Sequence, residues 1–303
     1  MASTLQCWAV GNQVSLNLGG ILLDVLGSPS AKLRLHRDLD LFRGDTVRSD
    51  IQIAIHWTAS LDWCAGELVF DSGAVWKLFH EDTTKTFDFY SSVFGPSPYK
   101  RLRMDSDFRA GELILNRQVH EQESDSCPLE YPADELLITN YLAHHGLGVE
   151  VHGCGVVDTE TGGHLFLGHS GAGKSTTARI WETFRAPEIL SDDRIILRLQ
   201  DGELWMHGTP WHGEAAFASP GKAKLNRIHI LKHGSHNRLT ALPQARAVGE
   251  VFARSFPPFH SQAGLQRTLE FIKQALDVVP CYEFEFLPDS SSVAAVQGSA
   301  TNE

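Results

Sequence analysis

The chain has 303 residues, enough for one large domain or two ordinary domains that each bury a core. Hydrophobic residues make up 42% and charged residues 21%, which excludes a disordered chain, a collagen-like fibre and a coiled coil. With 26 Lys and Arg against 37 Asp and Glu, the net charge of −11 argues against nucleic acid or an acidic membrane as a partner.

Five cysteines are scattered along the chain without a C-x-x-C pair, a spacing typical of neither a disulfide framework nor a zinc site. We therefore expect a reducing compartment. The first residues carry no basic segment ahead of an apolar run, so a secretory signal is not expected. No apolar stretch reaches the roughly 18 to 20 residues that a membrane span needs. The sequence thus predicts a cytoplasmic protein.

The N-terminal part of the chain predicts short strands of an antiparallel sheet. Apolar and polar residues alternate over residues 31–35 and 51–57, as in a sheet that is buried on one face. Turn-forming residues separate further predicted strands at 67–70, 76–79, 86–90 and 111–116. No reactive group of side chains is evident here, and we expect this β-rich domain to bind a substrate or partner.

A polar, acidic stretch over residues 117–128 is the best candidate for a linker. A helix should follow it, because Pro132 suits a first helical turn and Gly146 suits a stop. In that helix, Leu137 and Tyr141 share one face together with Leu136.

Beyond the linker the pattern changes to strand, glycine loop and helix, which is typical of an α/β domain. We therefore predict two domains, a β-rich domain at 1–127 and a second domain at 128–303. Apolar residues at helical spacing predict a helix over 265–276, and a strand should follow at 281–286. The last segment, from residue 290, is expected to be a weak polar tail.

The most informative segment is a candidate phosphate loop. Gly168, Gly173, Lys174 and Ser175 match the pattern G-x-x-x-x-G-K-[ST], between a predicted strand and a predicted helix. In such a loop the backbone N–H groups surround a phosphate, Lys174 contacts its β and γ oxygens, and the Ser175 hydroxyl reaches Mg²⁺.

The residues expected to contact the nucleotide are those of the loop and the first helical turn. They are Gly168, Ser170, Gly171, Ala172, Gly173, Lys174, Ser175 and Thr176.

Two adjacent carboxylates, Asp192 and Asp193, lie between predicted strands at 188–190 and 194–197. Alone, such a pair is typical of a turn. Beside a triphosphate loop it suits phosphoryl transfer, in which one carboxylate holds the metal and the other accepts a proton from the attacking hydroxyl. His152 is either a structural strand residue or a site residue, since its strand can pair with the strand before the loop.

Three sequence elements resemble the C-terminal domain of HPr kinase/phosphorylase and its relatives with the phosphoenolpyruvate carboxykinase nucleotide fold. They are H-G before the loop, G-H-S-G-A-G-K-S-T in it, and L-S-D-D-R after it. The resemblance covers roughly residues 129–289. It implies a P-loop kinase domain of this type, and together with the β-rich N-terminal domain the predicted fold class is α+β or α/β. It also implies that ATP and Mg²⁺ are used to phosphorylate a serine hydroxyl of a protein.

The resemblance also implies roles for individual residues. Asp192 would be the base, and Asp193 would hold the metal together with Ser175. Lys174 would lie on the phosphates, with His152 beside the γ-phosphate.

The chain departs from HPr kinase in two places. Thr176 stands where the bifunctional enzymes usually have Glu, and their E-x-R-G-x-G signature is absent. Residues 207–214 read H-G-T-P-W-H-G-E instead, which is similar to a segment of HPr-kinase-like proteins, some of them associated with modified-peptide gene clusters. In it, Glu214 is a candidate second Mg²⁺ ligand and His212 a candidate phosphate or substrate contact; the alternative is a packed turn.

The sequence therefore predicts an ATP- and Mg²⁺-dependent kinase that acts on a Ser or Thr hydroxyl of a peptide or small protein. One alternative is a small-molecule kinase on the same site. Another is a module that binds nucleotide without transferring phosphate, against which the presence of two adjacent carboxylates argues. The expected partner is a peptide or small protein, neither nucleic acid nor membrane, and self-association into a homo-oligomer stays open.

Overall fold

The structure, a computed structural model, describes residues 7–27, 33–44, 48–73, 75–119, 127–185 and 187–300. Contacts between residues divide the chain into two compact units, Met1–His144 and His145–Glu303.

The sequence-based boundary lies earlier, between residues 127 and 128. The reason for the difference is that the segment before the predicted helix is attached to the first unit. The buried ammonium group of Lys100 donates hydrogen bonds to the carbonyl oxygens of Pro128 (3.3 Å) and Glu130 (3.4 Å). Most of the predicted linker lies outside the described residues.

The first unit is rich in strands, as predicted. Its described elements are β1 (Cys7–Gly11), β2 (Gln13–Leu18), β3 (Ile21–Leu26), β4 (Leu33–His36), α1 (Arg37–Asp40), β5 (Ile51–Thr58), β6 (Glu67–Asp71), β7 (Trp76–Glu81), β8 (Thr84–Ser91), β9 (Gly95–Met104), β10 (Ala110–Asn116) and α2 (Ala133–His145). Helix α2 ends before Gly146, which has a positive φ of 63° and serves as the predicted stop.

Eight of these strands form one sheet in the order β2-β3-β5-β10-β9-β8-β7-β6. The prediction of a purely antiparallel sheet is wrong, because β5 pairs in parallel with both β3 and β10. Alternation of apolar and polar residues reports which face of a strand is buried, and it carries no information on strand direction.

Strand β9 was not predicted from the sequence, for a physical reason. It begins with the turn-forming residues Gly95 and Pro96 and carries two buried cations. The guanidinium of Arg101 donates to both carboxylate oxygens of Asp88, at 2.5 and 2.8 Å, so a charge in the interior is paired.

The second unit is a mixed α/β structure. Its described elements are β11 (Val149–Asp158), β12 (Gly162–Leu167), α3 (Lys174–Arg185), β13 (Glu188–Ser191), β14 (Arg194–Gln200), β15 (Glu203–His207), β16 (Lys222–His233), β17 (Arg238–Ala241), α4 (Gln244–Phe252), α5 (Gln262–Val278), β18 (Cys281–Phe286) and α6 (Ser291–Ala300).

The eight strands of this unit form one sheet with the path β12-β11-β14-β15-β16-β18-β17, and β13 pairs with β11. Strands β11 and β12 form the predicted antiparallel hairpin, and β16 runs parallel to both β12 and β18. Apolar residues of α4 and α5 pack on one face of the sheet, and those of α3 and α6 pack in a separate cluster. The phosphate-loop candidate connects β12 to α3.

The prediction of a polar tail from residue 290 is wrong for most of that segment. Residues Ser291–Ala300 form helix α6. Val293 and Val296 are buried in the cluster that contains Trp181 of α3, and Ala295 packs against it, so a few apolar residues anchor this helix.

The structure also bears on two expectations from the sequence, about membrane spans and about the cysteines. Among the described residues, no helix is long and apolar enough to cross a membrane. Cys127 is disulfide-bonded, which the scattered cysteine spacing did not predict, whereas Cys64, Cys154 and Cys281 carry free thiols.

A pair of imidazoles is buried in the second unit. Nδ1 of His164 lies 3.2 Å from Nε2 of His229, and the two rings pack against Phe166. Burial and the nearby charge of Arg227 lower the pKa of His164 to about 4. Burial also lowers the pKa of His229 well below its ordinary value.

Because the folded state keeps these rings neutral, acid should weaken it. The unfolded chain binds a proton near pH 6.5, so the free energy of unfolding should fall as the pH drops from 6.5 towards 4. For His164 alone the loss is about 3 kcal/mol by pH 4. Urea unfolding of His164→Gln at pH 7 and pH 4 should therefore show a smaller difference than in the wild type. The exposed His236 provides the control, and equal pH dependence in His164→Gln and His236→Gln would contradict the assignment.

Candidate active site

The predicted phosphate loop leaves the end of β12 and enters α3, in the expected order of strand, loop and helix. Gly171 and Gly173 have positive φ values of 80° and 102°. A Cβ on Gly173 would lie 2.6 Å from the ring of Phe286, so this position requires glycine for both backbone conformation and space. Ser170 and Thr176 are exposed at the loop.

Lys174 is folded back onto this loop. Its Nζ donates hydrogen bonds to the carbonyl oxygens of Gly168 (3.1 Å) and His169 (3.3 Å). Burial lowers the pKa of Lys174, and the nearby charge of Asp193 opposes that shift. The loop therefore holds a largely buried amine next to backbone N–H groups at the start of a helix, a combination that suits a phosphate group.

His233 also contacts the loop and was missed by sequence reasoning. Its Nε2 lies 3.1 Å from the carbonyl oxygen of Gly171, and its ring stacks on Phe286. His233 ends β16, which runs parallel to β12, so the ends of the two strands meet at the loop. No local sequence pattern marks this residue, because its position depends on a strand pairing between distant segments.

Asp192 is fully buried and accepts four hydrogen bonds. The Ser175 hydroxyl donates to Oδ2 at 2.8 Å. Three backbone N–H groups of a following loop donate to the same carboxylate, from Gly213 (3.0 Å), Ala215 (3.0 Å) and Phe217 (3.3 Å). Both oxygens are thus engaged, and the carboxylate joins the phosphate loop to the 213–217 loop.

Asp193 occupies a different environment, although it is the next residue. Its Oδ1 lies 2.8 Å from Nε2 of His152, and its Oδ2 accepts a hydrogen bond from Arg194 Nη1 at 2.5 Å. Nε of Arg194 in turn lies 3.2 Å from the buried carboxylate of Glu150. Asp193 keeps 25% of its side chain exposed, so this carboxylate is both held in place and accessible.

The charge state of Asp193 follows from these neighbours. Burial raises the pKa of Asp193, but the hydrogen bond from His152 and the charges of Arg194, His152 and Lys174 outweigh it, so the pKa is lower than usual. Lys174 and Asp193 are also close in the fold, because their neighbours Ser175 and Asp192 are hydrogen-bonded at 2.8 Å. Asp193 is therefore ionised at neutral pH.

The hydrogen bonds differ from the arrangement implied by the family resemblance. That arrangement joined Ser175 with Asp193 at a metal and left Asp192 to take up a proton. In the structure Ser175 bonds to Asp192, and Asp193 bonds to His152. Asp192 and Asp193 form the bend between β13 and β14, and in this bend the two adjacent carboxylates have different partners.

The 207–214 segment contributes mainly its backbone. The carbonyl oxygen of Glu214 accepts a hydrogen bond from Arg179 (3.2 Å), while the Glu214 side chain is exposed. Nδ1 of His212 lies 3.0 Å from the carbonyl oxygen of Gly213. Within the described ranges, no three His, Cys, Asp or Glu side chains come together as a metal site. The metal ligands predicted from the sequence are two carboxylates and a hydroxyl, so their role stays a prediction.

The two carboxylates should respond differently to replacement by the neutral amide. Asp192→Asn would point an NH₂ group or a weaker acceptor at four donors, so we expect a loss of about 1 to 3 kcal/mol or more in the free energy of unfolding. Asp193→Asn affects a partly exposed side chain and should change it by less than about 1 kcal/mol. Chemical denaturation measures both values. A larger loss in Asp193→Asn than in Asp192→Asn would contradict the structural role of Asp192.

Comparisons with known proteins add little to this geometry. No protein-family model matches the chain, and no curated protein matches it. Among solved structures, it is similar to the "Hpr(Ser) kinase/phosphatase from Coxiella burnetii", with 12% sequence identity and a TM-score of 0.30 over 50% of this chain and 96% of that chain. A likeness this low carries no argument about function, so the function has to be argued from the residues of this chain.

Proposed function

We propose that the protein transfers a phosphoryl group from ATP, with Mg²⁺, to a Ser or Thr hydroxyl of a peptide or small protein. The observation that carries the proposal is the closeness of two devices. One is a glycine loop with a buried lysine at the start of α3. The other is the ionised Asp193, which is bonded to His152 and lies within electrostatic range of that lysine. Phosphoryl transfer needs these two devices side by side.

The residues present fit a triphosphate. Lys174 would place its charge on the β and γ oxygens, in exchange for the loop carbonyls that it contacts in the structure. The N-terminal backbone N–H groups of α3 would bind phosphate oxygens. His233 supports the loop through the contact of its Nε2 with the carbonyl oxygen of Gly171.

The residues also fit a magnesium ion on the phosphates. When bound, Mg²⁺ would neutralise charge that develops on the β and γ oxygens. The Ser175 hydroxyl would hold it, and the donor to Asp192 in the structure is that same hydroxyl. We therefore assign Asp192 to the metal side of the site, where it orients Ser175.

Asp193 is the better candidate for the proton acceptor. Asp192 is fully buried and accepts four hydrogen bonds, which leaves little access for an attacking hydroxyl. Asp193 is partly exposed and ionised at neutral pH. His152 and Arg194 hold its two oxygens on opposite sides, so the carboxylate is oriented before substrate arrives.

A peptide acceptor is proposed on the basis of the departures of residues 207–214 from the HPr kinase pattern. The binding of that acceptor by residues 1–127 stays a prediction. The direct test of the function is incubation of the full chain with γ-labelled ATP, Mg²⁺ and Ser- or Thr-containing peptides, with label transfer and free phosphate both measured. Transfer to a small hydroxyl compound alone would favour a small-molecule kinase. Binding without transfer to any acceptor would favour a non-catalytic nucleotide-binding module.

Lys174→Ala should abolish the stabilisation of the protein by Mg-ATP, because it removes the cation that the loop holds for the phosphates. In the wild type, nucleotide at about 100 times its Kd should raise the free energy of unfolding by about 2.7 kcal/mol, seen as a higher Tm. Lys224→Ala is the matched control, since Lys224 is exposed and paired with Glu203. A wild-type response of Lys174→Ala to Mg-ATP would refute the loop assignment.

Asp193→Asn should retain nucleotide binding and lose transfer. A positioned proton acceptor contributes roughly 10² to 10⁴ in rate, and kcat should fall by that factor. Asp201→Asn, a change at an exposed turn, is the control and should leave kcat unchanged. Calorimetry gives the nucleotide Kd and the labelled assay gives kcat. If kcat is unchanged in Asp193→Asn, the proton acceptor lies elsewhere.

A further inference from the structure

Arg254, which no sequence motif marks, lies beside the candidate site. The short segment 254–256 follows α4 and runs antiparallel to the start of β11. Ser255 bridges Val151, and the backbone N–H of His152 donates to the carbonyl oxygen of Arg254 at 2.7 Å. This register places Arg254 opposite His152, so their side chains lie on the same face of the sheet.

The same face continues to Arg194 on the other side of β11. Arg194 is the register partner of His152 in the pairing of β11 with β14. Arg254, His152 and Arg194 therefore form a row across the 254–256 segment, β11 and β14. The ring of Phe256 packs edge-on against His152. The centre of this ring also lies 4.1 Å from the guanidinium carbon of Arg194, so Phe256 contacts two of the three side chains.

This row meets the phosphate loop. The backbone N–H of Gly168, the first loop residue, donates a hydrogen bond to the carbonyl oxygen of His152, with an N···O distance of 3.4 Å. The charge of Arg254 is the largest cause that lowers the pKa of His169, the second loop residue, followed by burial and the charge of His152. The guanidinium of Arg254 thus lies within electrostatic range of the loop.

The guanidinium of Arg254 has unused donors. The residue is only 5% exposed, and its Nη1 donates to the carbonyl oxygen (2.8 Å) and a carboxylate oxygen (2.6 Å) of Glu250. Its Nε is buried, and no hydrogen-bond partner for it exists in the part of the chain that the structure describes. Buried polar groups are nearly always paired, so such a group at a candidate site points to a ligand.

The edge of the guanidinium that carries Nε and Nη2 also has a shape that suits a phosphate. The Nε and Nη2 groups of an arginine form a planar fork that matches two oxygens of one phosphate. Glu250 occupies the opposite corner of the guanidinium and fixes its plane. A lysine at this position would supply the charge without the fork.

We propose that Arg254 binds the terminal phosphoryl group of the nucleotide through its Nε and Nη2 edge, while Glu250 holds Nη1. The proposal rests on the proposed function, since it requires a triphosphate on the loop. In this position Arg254 stabilises the charge of the group that is transferred, next to the carboxylate that accepts the proton.

The test compares nucleotides with and without that group. Calorimetry on the full chain with Mg²⁺ gives Kd values for ADP and for the non-hydrolysable β,γ-imido analogue of ATP. Arg254→Gln should weaken binding of the analogue by roughly 10- to 100-fold, because a charged hydrogen-bonded pair is lost, and should leave the Kd for ADP within about twofold. Arg254→Lys should restore only part of the loss.

Two variants make the result specific. Arg238→Gln removes an exposed arginine of β17, paired with Glu285, and should leave both Kd values unchanged. The double variant Arg254→Gln/Glu250→Gln leaves no carboxylate without its partner, and it replaces the single variant if that one does not fold.

The outcomes separate this proposal from the proposed function. Equal loss of ADP and analogue affinity in Arg254→Gln would mean that Arg254 only supports the fold, and this overturns the proposal. Unchanged affinity for both overturns it as well. In both cases wild-type binding of the analogue, abolished in Lys174→Ala, would leave the proposed function intact. A wild-type protein that binds neither nucleotide would refute the proposed function itself, and this proposal with it.

Discussion

The buried carboxylate of Asp192 is the interaction on which the site depends. A buried polar group is costly unless it is hydrogen-bonded, and Asp192 meets this requirement with one hydroxyl and three backbone N–H groups. These donors come from the phosphate loop and from the 213–217 loop. A Cβ on Gly213 would lie 2.8 Å from Asp192 Oδ2, so the close approach of the second loop needs glycine. Without this carboxylate, the bonds that join the two loops would be lost.

The next residue shows how environment separates two identical side chains. Asp192 is fully buried and accepts four hydrogen bonds, while Asp193 is held by His152 and Arg194 and stays partly exposed. One carboxylate suits a structural and metal-orienting role, and its neighbour suits proton transfer.

The arginines around the site are paired with carboxylates close to them. Arg194 is paired with Asp193 and Glu150, and Arg254 is paired with Glu250. The net charge of the chain is −11, yet the loop is surrounded by the cations Lys174 and Arg254. The proposed polyphosphate ligand would therefore be attracted by a few side chains, in a protein whose overall charge would repel it.

Much of the local structure could be predicted from the sequence, because it depends on short-range patterns. The strand, glycine loop and helix around Lys174 and the hairpin of β11 and β12 follow from apolar runs and turn residues, and so does strand β18. The prediction failed where local signals were weak, as for β9 with its prolines and buried cations and for α6, whose apolar residues are small and lie among serines.

The arrangement of the site was decided by the tertiary structure alone. The bond from Ser175 to Asp192, the bond from Asp193 to His152 and the support from His233 each join segments far apart in the chain. Arg254 reaches the site through a register with β11 that no motif encodes. A sequence shows which residues can carry charge or donate hydrogen bonds, but their partners are set by strand pairing and by which face each side chain takes, and these exist only in the folded chain.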